Sequence, residues 1–174
     1  DLAILNAGYY EPRPVQDLTM DDFRKHYEVN VLGVAACLEP ILPKMIDRQA
    51  GHIAIVASVA GYRGLPKAFS YGSTKAALIS MAETLKIELS QSPLKVQVIN
   101  PGFVKTRLTD KNDFDMPMAI ETDRAAEYIV NGLQKKRFEI AFPPLFTFIM
   151  KVLRNLPDWA FFMLMRQFNL KNKN

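Results

Sequence analysis

Tyr71 and Lys75 place a phenol and an ammonium four residues apart in Tyr71-Gly72-Ser73-Thr74-Lys75. On a helix that spacing sets both side chains on one face, one turn apart. Reducing a carbonyl with hydride needs a proton for the developing alkoxide, and oxidising the alcohol needs the same group as a base. A free tyrosine, with a pKa of about 10, is a poor base at neutral pH. A lysine cation beside it stabilises phenolate, so Lys75 is expected to pull the Tyr71 pKa down. Ser58 ends an apolar run thirteen residues upstream, where its hydroxyl is expected to bond the substrate oxygen and hold it near the phenol. Tyr-x-x-x-Lys on its own is common surface decoration. Its weight here comes from position, after a strand that ends in serine and at the opening of a helix.

The elements around these residues follow from periodicity. Leu2–Leu5, His52–Ala57 and Val96–Ile99 are short, nearly continuous apolar runs, the pattern of parallel strands covered on both faces. Thr19-Met20-Asp21-Asp22 is a capping-box-like start, with acids in the first turn, leading into a helix over Phe23–Asp47. Pro40 and Pro43 are expected to kink or break that helix near its end. Further helices are expected over about residues 68–90 and 123–136. The alternation predicts an α/β fold, a Rossmann-like doubly wound parallel sheet in three α/β/α layers. In such sheets ligands bind beyond the carboxyl ends of the strands. Those ends are Asn6-Ala7-Gly8, Ala57-Ser58 and Asn100-Pro101-Gly102, all small or turn-forming residues that let a ligand approach the backbone.

These motifs, in this order over roughly residues 1–106, closely resemble the short-chain dehydrogenase/reductase family. Asn6-Ala7-Gly8 is similar to that family's Asn-Ala-Gly element after its fourth strand, with Leu5 where a further asparagine is common. Asn30, in Val29-Asn30-Val31-Leu32-Gly33, matches the family's helix asparagine, whose side chain in relatives helps hold a water linking the lysine to solvent. Ser58, Tyr71 and Lys75 fall at the family's catalytic serine, tyrosine and lysine. Pro101-Gly102-Phe103-Val104-Lys105-Thr106 is similar to the segment that packs against nicotinamide. The resemblance implies NAD or NADP as cofactor. Val104 would contact the carboxamide through its backbone and Thr106 through its hydroxyl, and Lys75 would bond the nicotinamide ribose. It also implies a small carbonyl or alcohol substrate, and a homo-oligomer, dimer or tetramer, formed through the helices that hold Asn30 and Tyr71. Each residue has a blander reading: Asn30 bonding backbone, Ser58 capping a turn, Gly102 only turning the chain, Pro101 stopping a strand.

One departure stands out. Relatives begin with a strand and a glycine-rich turn whose N–H groups hold the pyrophosphate. This sequence has no Gly-x-x-x-Gly-x-Gly turn and opens directly on Asp1-Leu2-Ala3-Ile4 without an initiator methionine. The expectation is that about 80 residues of the family pattern, including the N-terminal strands, precede Asp1 in a longer enzyme.

Composition sets the remaining bounds. With 49% hydrophobic and 23% charged residues the chain is globular rather than disordered. One cysteine, Cys37, excludes an internal disulfide and fits a reducing, cytoplasmic setting. His26 and His52 lack metal-ligand spacing with any donor cluster, so no metal is expected. Residues 1–150 carry 17 basic and 17 acidic side chains, whereas residues 151–174 carry five basic ones against Asp158 alone. That balance argues against a nucleic-acid partner and singles out the tail.

The expected organisation is a catalytic part over residues 1–141 and an amphipathic helical tail over 142–174. After Thr106, within the catalytic part, Leu108–Ile120 with Met116 and Met118 is expected to be the family's variable lid, its methionines either lining an apolar pocket or filling gaps. The tail is dense in large apolar residues, among them Phe148, Trp159, Phe162 and Phe168. Its longest charge-free run, Ile140–Met150, holds 11 residues and two prolines. A spanning helix needs about 20 residues, so two amphipathic helices joined near Leu156-Pro157-Asp158 are expected. Two readings of them stay open: packing on the chain's own domain or a partner subunit, or peripheral contact of residues 142–170 with a membrane and a lipid-like substrate. Two functional alternatives also stand, an isomerase or dehydratase with the same Tyr/Lys pair and a catalytically idle binding module.

Overall fold

In the computed structural model the described residues are 1–171 for the backbone and 1–167 for the side chains; Phe168, named above, and two of the tail's basic residues, Lys171 and Lys173, have side chains outside the described residues. Four parallel strands, β1 (Leu2–Leu5), β2 (His52–Val56), β3 (Lys95–Pro101) and β4 (Glu139–Phe142), pair in sequence order. Ile4 lies beside Ala54, Ala54 beside Gln97, and Val98 beside Glu139. Helices cover both faces, giving the doubly wound, three-layer arrangement expected of the alternating pattern. On one face α2 (Gly33–Asp47) and α3 (Phe69–Glu88) bring Val34, Leu38, Leu78 and Ala82 onto Ile53, Ile55 and Val98. On the other, Ala125 of α4 (Thr122–Leu133) packs on Ala54, Ile99, Ile140 and Phe142. β1 is covered on one face only: Ala3 and Leu5 join the core, while Leu2 and Ile4 are 48% and 43% exposed.

The helix expected from Phe23 to Asp47 is interrupted, but not where the prolines sit. α1 (Met20–Tyr27) begins at Thr19, whose hydroxyl accepts from the Asp22 N–H at 3.2 Å, a cap worth about 1 kcal/mol. A π-helical segment, Glu28–Leu32, joins it to α2, and α2 runs through Pro40 and Pro43 to Asp47 without a break. The irregularity falls instead around Asn30, a frequent use of π turns at working sites. Among the described residues, Met20–Asp47 is the one helical run long and apolar enough to cross a membrane. Its Val34, Leu38 and Met45 are buried in the core.

Strand β4 was not anticipated. Buried Gln97 of β3 fixes the turn before it, donating to the carbonyls of Gly132, Lys135 and Arg137 at 2.7–3.2 Å and meeting the His52 ring through its oxygen. Phe142, fully buried, is the last residue of the sheet. Two helices follow, α5 (Pro144–Asn155) and α6 (Asp158–Lys171), joined at Leu156-Pro157 as the sequence suggested. α5 is anchored in the core by Phe146 and Met150.

Candidate active site

The carboxyl ends of the strands open on one cleft of about 1940 Å3. Asn6, Ala7 and Gly8 from the end of β1, Ser58 beyond β2, and Pro101, Gly102, Val104 and Thr106 beyond β3 all line it, as do Tyr71 and Lys75 on α3. Residues spread over a hundred positions meet because each follows a strand whose end faces the same edge. Asn30 does not line the cleft but lies behind it, fully buried.

Lys75 is 3% exposed, and its Nζ donates to the Val56 carbonyl at 2.9 Å. The ammonium lies 5.5 Å from the centre of the Tyr71 ring. A β-carbon on Gly8 would stand 3.8 Å from that Nζ and 3.7 Å from Asn30 Oδ1, so these three residues form one knot at the end of β1. Asn30 Oδ1 accepts from the Tyr9 N–H at 2.6 Å, while its Nδ2 donates to the Tyr9 carbonyl and to Thr74 Oγ1. Asn30 therefore locks the segment after Gly8 onto α3, one residue before Lys75.

The electrostatics correct one expectation. Lys75 does not lower the Tyr71 pKa. Burial pushes the Tyr71 phenol up to about 12, with the Ser58 hydroxyl acting in the opposite direction. Burial also brings Lys75 down to about 8. Both polar heads have lost water, and the lysine proton is directed at a backbone carbonyl rather than at the phenol. Tyr71 as a whole is only half-buried, its ring meeting Tyr10 edge-on at 4.7 Å between centroids.

Ser58 caps a short turn, Val59–Gly61: its hydroxyl accepts from the Ala60 N–H at 3.1 Å and donates to the Pro101 carbonyl at 3.3 Å. Capping and facing the cleft are compatible, because the hydroxyl retains a second lone pair. Gly102 is more than a turn residue. A β-carbon there would come within 2.6 Å of Phe146 Cδ1, so its bareness lets α5 close over the end of β3. Thr109 Oγ1 ties the following loop together, donating to the Val104 carbonyl and accepting from the Thr106 N–H.

Several residues at the site escaped the sequence reading. Tyr10 Oη donates to Asn112 Oδ1 at 2.6 Å, Lys111 pairs with Glu11, and Lys67 with Asp113, joining the stretch after Thr106 to the cleft's opposite rim. Phe114 and Pro117 of that stretch line the cleft, whereas Met116 and Met118 do not. Glu139 accepts from Tyr62, Asn100 and Lys151, binding the turn after Ser58 to β3, β4 and α5. Burial alone would raise the Glu139 carboxyl, but those donors outweigh it and hold it below the ordinary range. Gly61 and Gly72 fit the same turn onto α3. A β-carbon on Gly61 would overlap the Lys75 backbone, and one on Gly72 would lie 3.2 Å from the Ala60 carbonyl. Small residues were visible in the sequence; the close approach they permit is tertiary.

A parallel, doubly wound sheet with small residues at the strand ends defines a Rossmann-type domain. The family model described as short chain dehydrogenase matches residues 1–116, and the chain belongs to that family. It is 35% identical over 161 residues to an uncharacterized oxidoreductase of Myxococcus xanthus, covering 92% of this chain and 64% of the relative. It is 28% identical over 173 residues to 17-beta-hydroxysteroid dehydrogenase 13 of Homo sapiens, covering 98% of this chain and 58% of that one. A crystal structure of a short chain dehydrogenase from Burkholderia cenocepacia, in complex with NADP, shares the fold. Its TM-score is 0.76 at 24% identity, over 86% of this chain and 64% of that chain. The chain thus spans about three fifths of the length of the relatives it matches.

Proposed function

We propose that the protein is an NAD(P)-dependent oxidoreductase that passes hydride between nicotinamide and a carbonyl or secondary-alcohol carbon. The observation that carries this reading is the meeting of Ser58, Tyr71 and Lys75 at the mouth of a parallel sheet, in one cleft with the Pro101–Thr106 segment. A phenol raised to about 12 keeps its proton at neutral pH, which suits Tyr71 to the acid's role in carbonyl reduction. Ser58 holds the substrate oxygen against the phenol by turning its single proton from the Pro101 carbonyl onto that oxygen. Lys75 supplies positive charge beneath the site, and Asn30 positions Lys75 through the Tyr9 and Thr74 contacts. In the family pattern Asn30 also supports a water that returns protons to the lysine.

The nicotinamide, when bound, supplies or accepts the hydride. Asn6, Ala7, Gly8, Pro101, Gly102, Val104 and Thr106 would hold its ring and ribose. Their fit rests on the small residues at each strand end, which leave backbone open to a flat ligand. The test is absorbance of NADH and NADPH with the full-length protein and a panel of ketones. Net oxidation of one dinucleotide is expected. Substrate conversion without net change would assign the isomerase or dehydratase chemistry instead, and binding without any conversion the idle module.

The same reading includes a homo-oligomer. Leu32 of the π segment and Ile87 of α3 are 59% and 71% exposed, on the helices by which the family's subunits pair. A second reading concerns location. Leu145, Phe148, Ile149 and Val152 form an outward stripe on α5, and Trp159, Phe162 and Met163 another on α6. Beside the basic excess of residues 151–174, these stripes support peripheral contact with a membrane. Deleting residues 145–174 from the full-length protein should abolish co-sedimentation with anionic liposomes; unchanged binding would remove the idea.

A further inference from the structure

Arg63 lies five residues beyond Ser58 and eight before Tyr71, on the rim of the cleft. Its guanidinium reaches away from the reacting groups into the tail. Nη1 donates to the carbonyls of Leu153 and Arg154 at 3.3 Å each and of Leu156 at 2.6 Å, the last carbonyls of α5 and of the linker. Nη2 bonds Asp158 Oδ1, at the start of α6, at 2.5 Å. The planar group lies 3.9 Å from the centre of the Phe161 ring. Phe161, at 2% exposure, is the one buried side chain of α6 among the described residues. One side chain therefore bonds the carbonyls that end α5, anchors the next helix at its first turn, and lies against that helix's one buried side chain among the described residues.

What Arg63 fixes in place is a wall of the cleft. Met150 and Leu153 of α5 and Leu164 and Met165 of α6 line it, together with Phe103, whose ring packs 5.4 Å from that of Phe146 on α5. Charged and polar residues such as Lys67, Asn112 and Asp113 line the opposite rim, whereas along α5 and α6 the lining before Gln167 is hydrocarbon and thioether. A small ketone needs only the end where Ser58 and Tyr71 stand. A ketone with a long chain or fused rings would lay its apolar part along α5 and α6.

We propose that Arg63 is a specificity-determining clasp: it holds the α5–α6 pair as the apolar wall that selects carbonyl substrates with a large hydrocarbon part. This rests on the oxidoreductase reading for its chemistry, but the wall's binding role can be read without turnover.

The experiment uses the full-length protein, 2-dodecanone as the apolar probe and 2-butanone as the small one. Calorimetric titration with 2-dodecanone gives affinity, and steady-state rates with both ketones give kcat and KM. Arg63→Ala is expected to weaken 2-dodecanone binding by on the order of tenfold and raise its KM in proportion, while kcat with 2-butanone stays within about twofold. Arg63→Lys, which keeps the charge and loses the fork, should resemble Arg63→Ala. Equal 2-dodecanone affinity in Arg63→Ala and the parent would overturn the proposal, as would no binding by the parent or an equal loss with both ketones. If Arg63→Ala does not fold, Asp158→Ala removes one clasp contact and should weaken 2-dodecanone binding about threefold; unchanged affinity there also overturns it. A parent that binds 2-dodecanone yet turns over neither ketone with either dinucleotide defeats the oxidoreductase reading, while the calorimetric comparison still decides the clasp.

Discussion

Gly61 touches the backbone of Lys75 so closely that a β-carbon on it would lie 2.6 Å from the Lys75 carbonyl carbon. The turn that Ser58 caps is thereby seated on the helix turn that carries the lysine. Serine, phenol and amine are positioned by one glycine contact as much as by their own hydrogen bonds.

Gly61→Ala should separate these groups, because the neighbouring atoms are helix backbone and cannot move aside as a side chain would. Overpacking of this kind costs about 1–3 kcal/mol, and sub-ångström displacement of reacting groups costs on the order of a hundredfold in rate. Gly64→Ala is the control, since nothing lies within 4 Å of a β-carbon there. Urea denaturation and turnover of both variants check this: Gly61→Ala should lose both properties and Gly64→Ala neither.

Lys75 links the site to pH. Its folded pKa of about 8 lies below the ordinary 10.5 because burial disfavours the charged form. Between those values the unfolded chain binds the proton that the folded chain has lost, so stability rises with pH across that window. Below about 8 both states are charged and the penalty, of about 3 kcal/mol, is fully present. Lys75→Met removes the contribution. Denaturation midpoints from pH 7.5 to 9.5 should climb for the parent relative to the variant; parallel curves would contradict the shift.

Glu139 runs the other way. Its carboxyl is held below the ordinary 4.5 by Lys151, Tyr62 and Asn100 against the pull of burial. A depressed carboxylate contributes stability above its unfolded pKa and loses it as pH falls through the folded one. Glu139→Gln should cost about 1–3 kcal/mol at pH 7, and the gap to the parent should narrow as pH falls below the ordinary 4.5. Thermal unfolding as a function of pH measures it.

How much of this was legible beforehand divides by range. The three nearly continuous apolar runs named their own strands, and Ser58, Tyr71 and Lys75 were singled out because strand ends and helical spacing are local signals. β4 was not, since Glu139–Phe142 opens on a charged residue and owes its position to Gln97, about forty residues away in chain order and adjacent only in the fold. Pro40 and Pro43 suggested a break that α2 does not show, while the π segment at Glu28–Leu32 left no local mark. Charge partners were equally hidden. Proximity of Tyr71 and Lys75 in sequence implied a lowered phenol, but desolvation of both heads, a property of the packed cleft, decides the direction. Arg63 carried no motif at all; its role depends on where α5 ends and α6 begins.

The most direct test of the account is Tyr71→Phe in the full-length protein, followed by single-turnover oxidation of reduced nicotinamide with a ketone that the parent accepts. The ring and its packing against Tyr10 are kept, and only the proton donor is lost. The account predicts a rate lower by roughly 10²- to 10⁴-fold, with dinucleotide affinity within about twofold of the parent. A variant that reduces the ketone at the parent's rate would show that the proton comes from elsewhere.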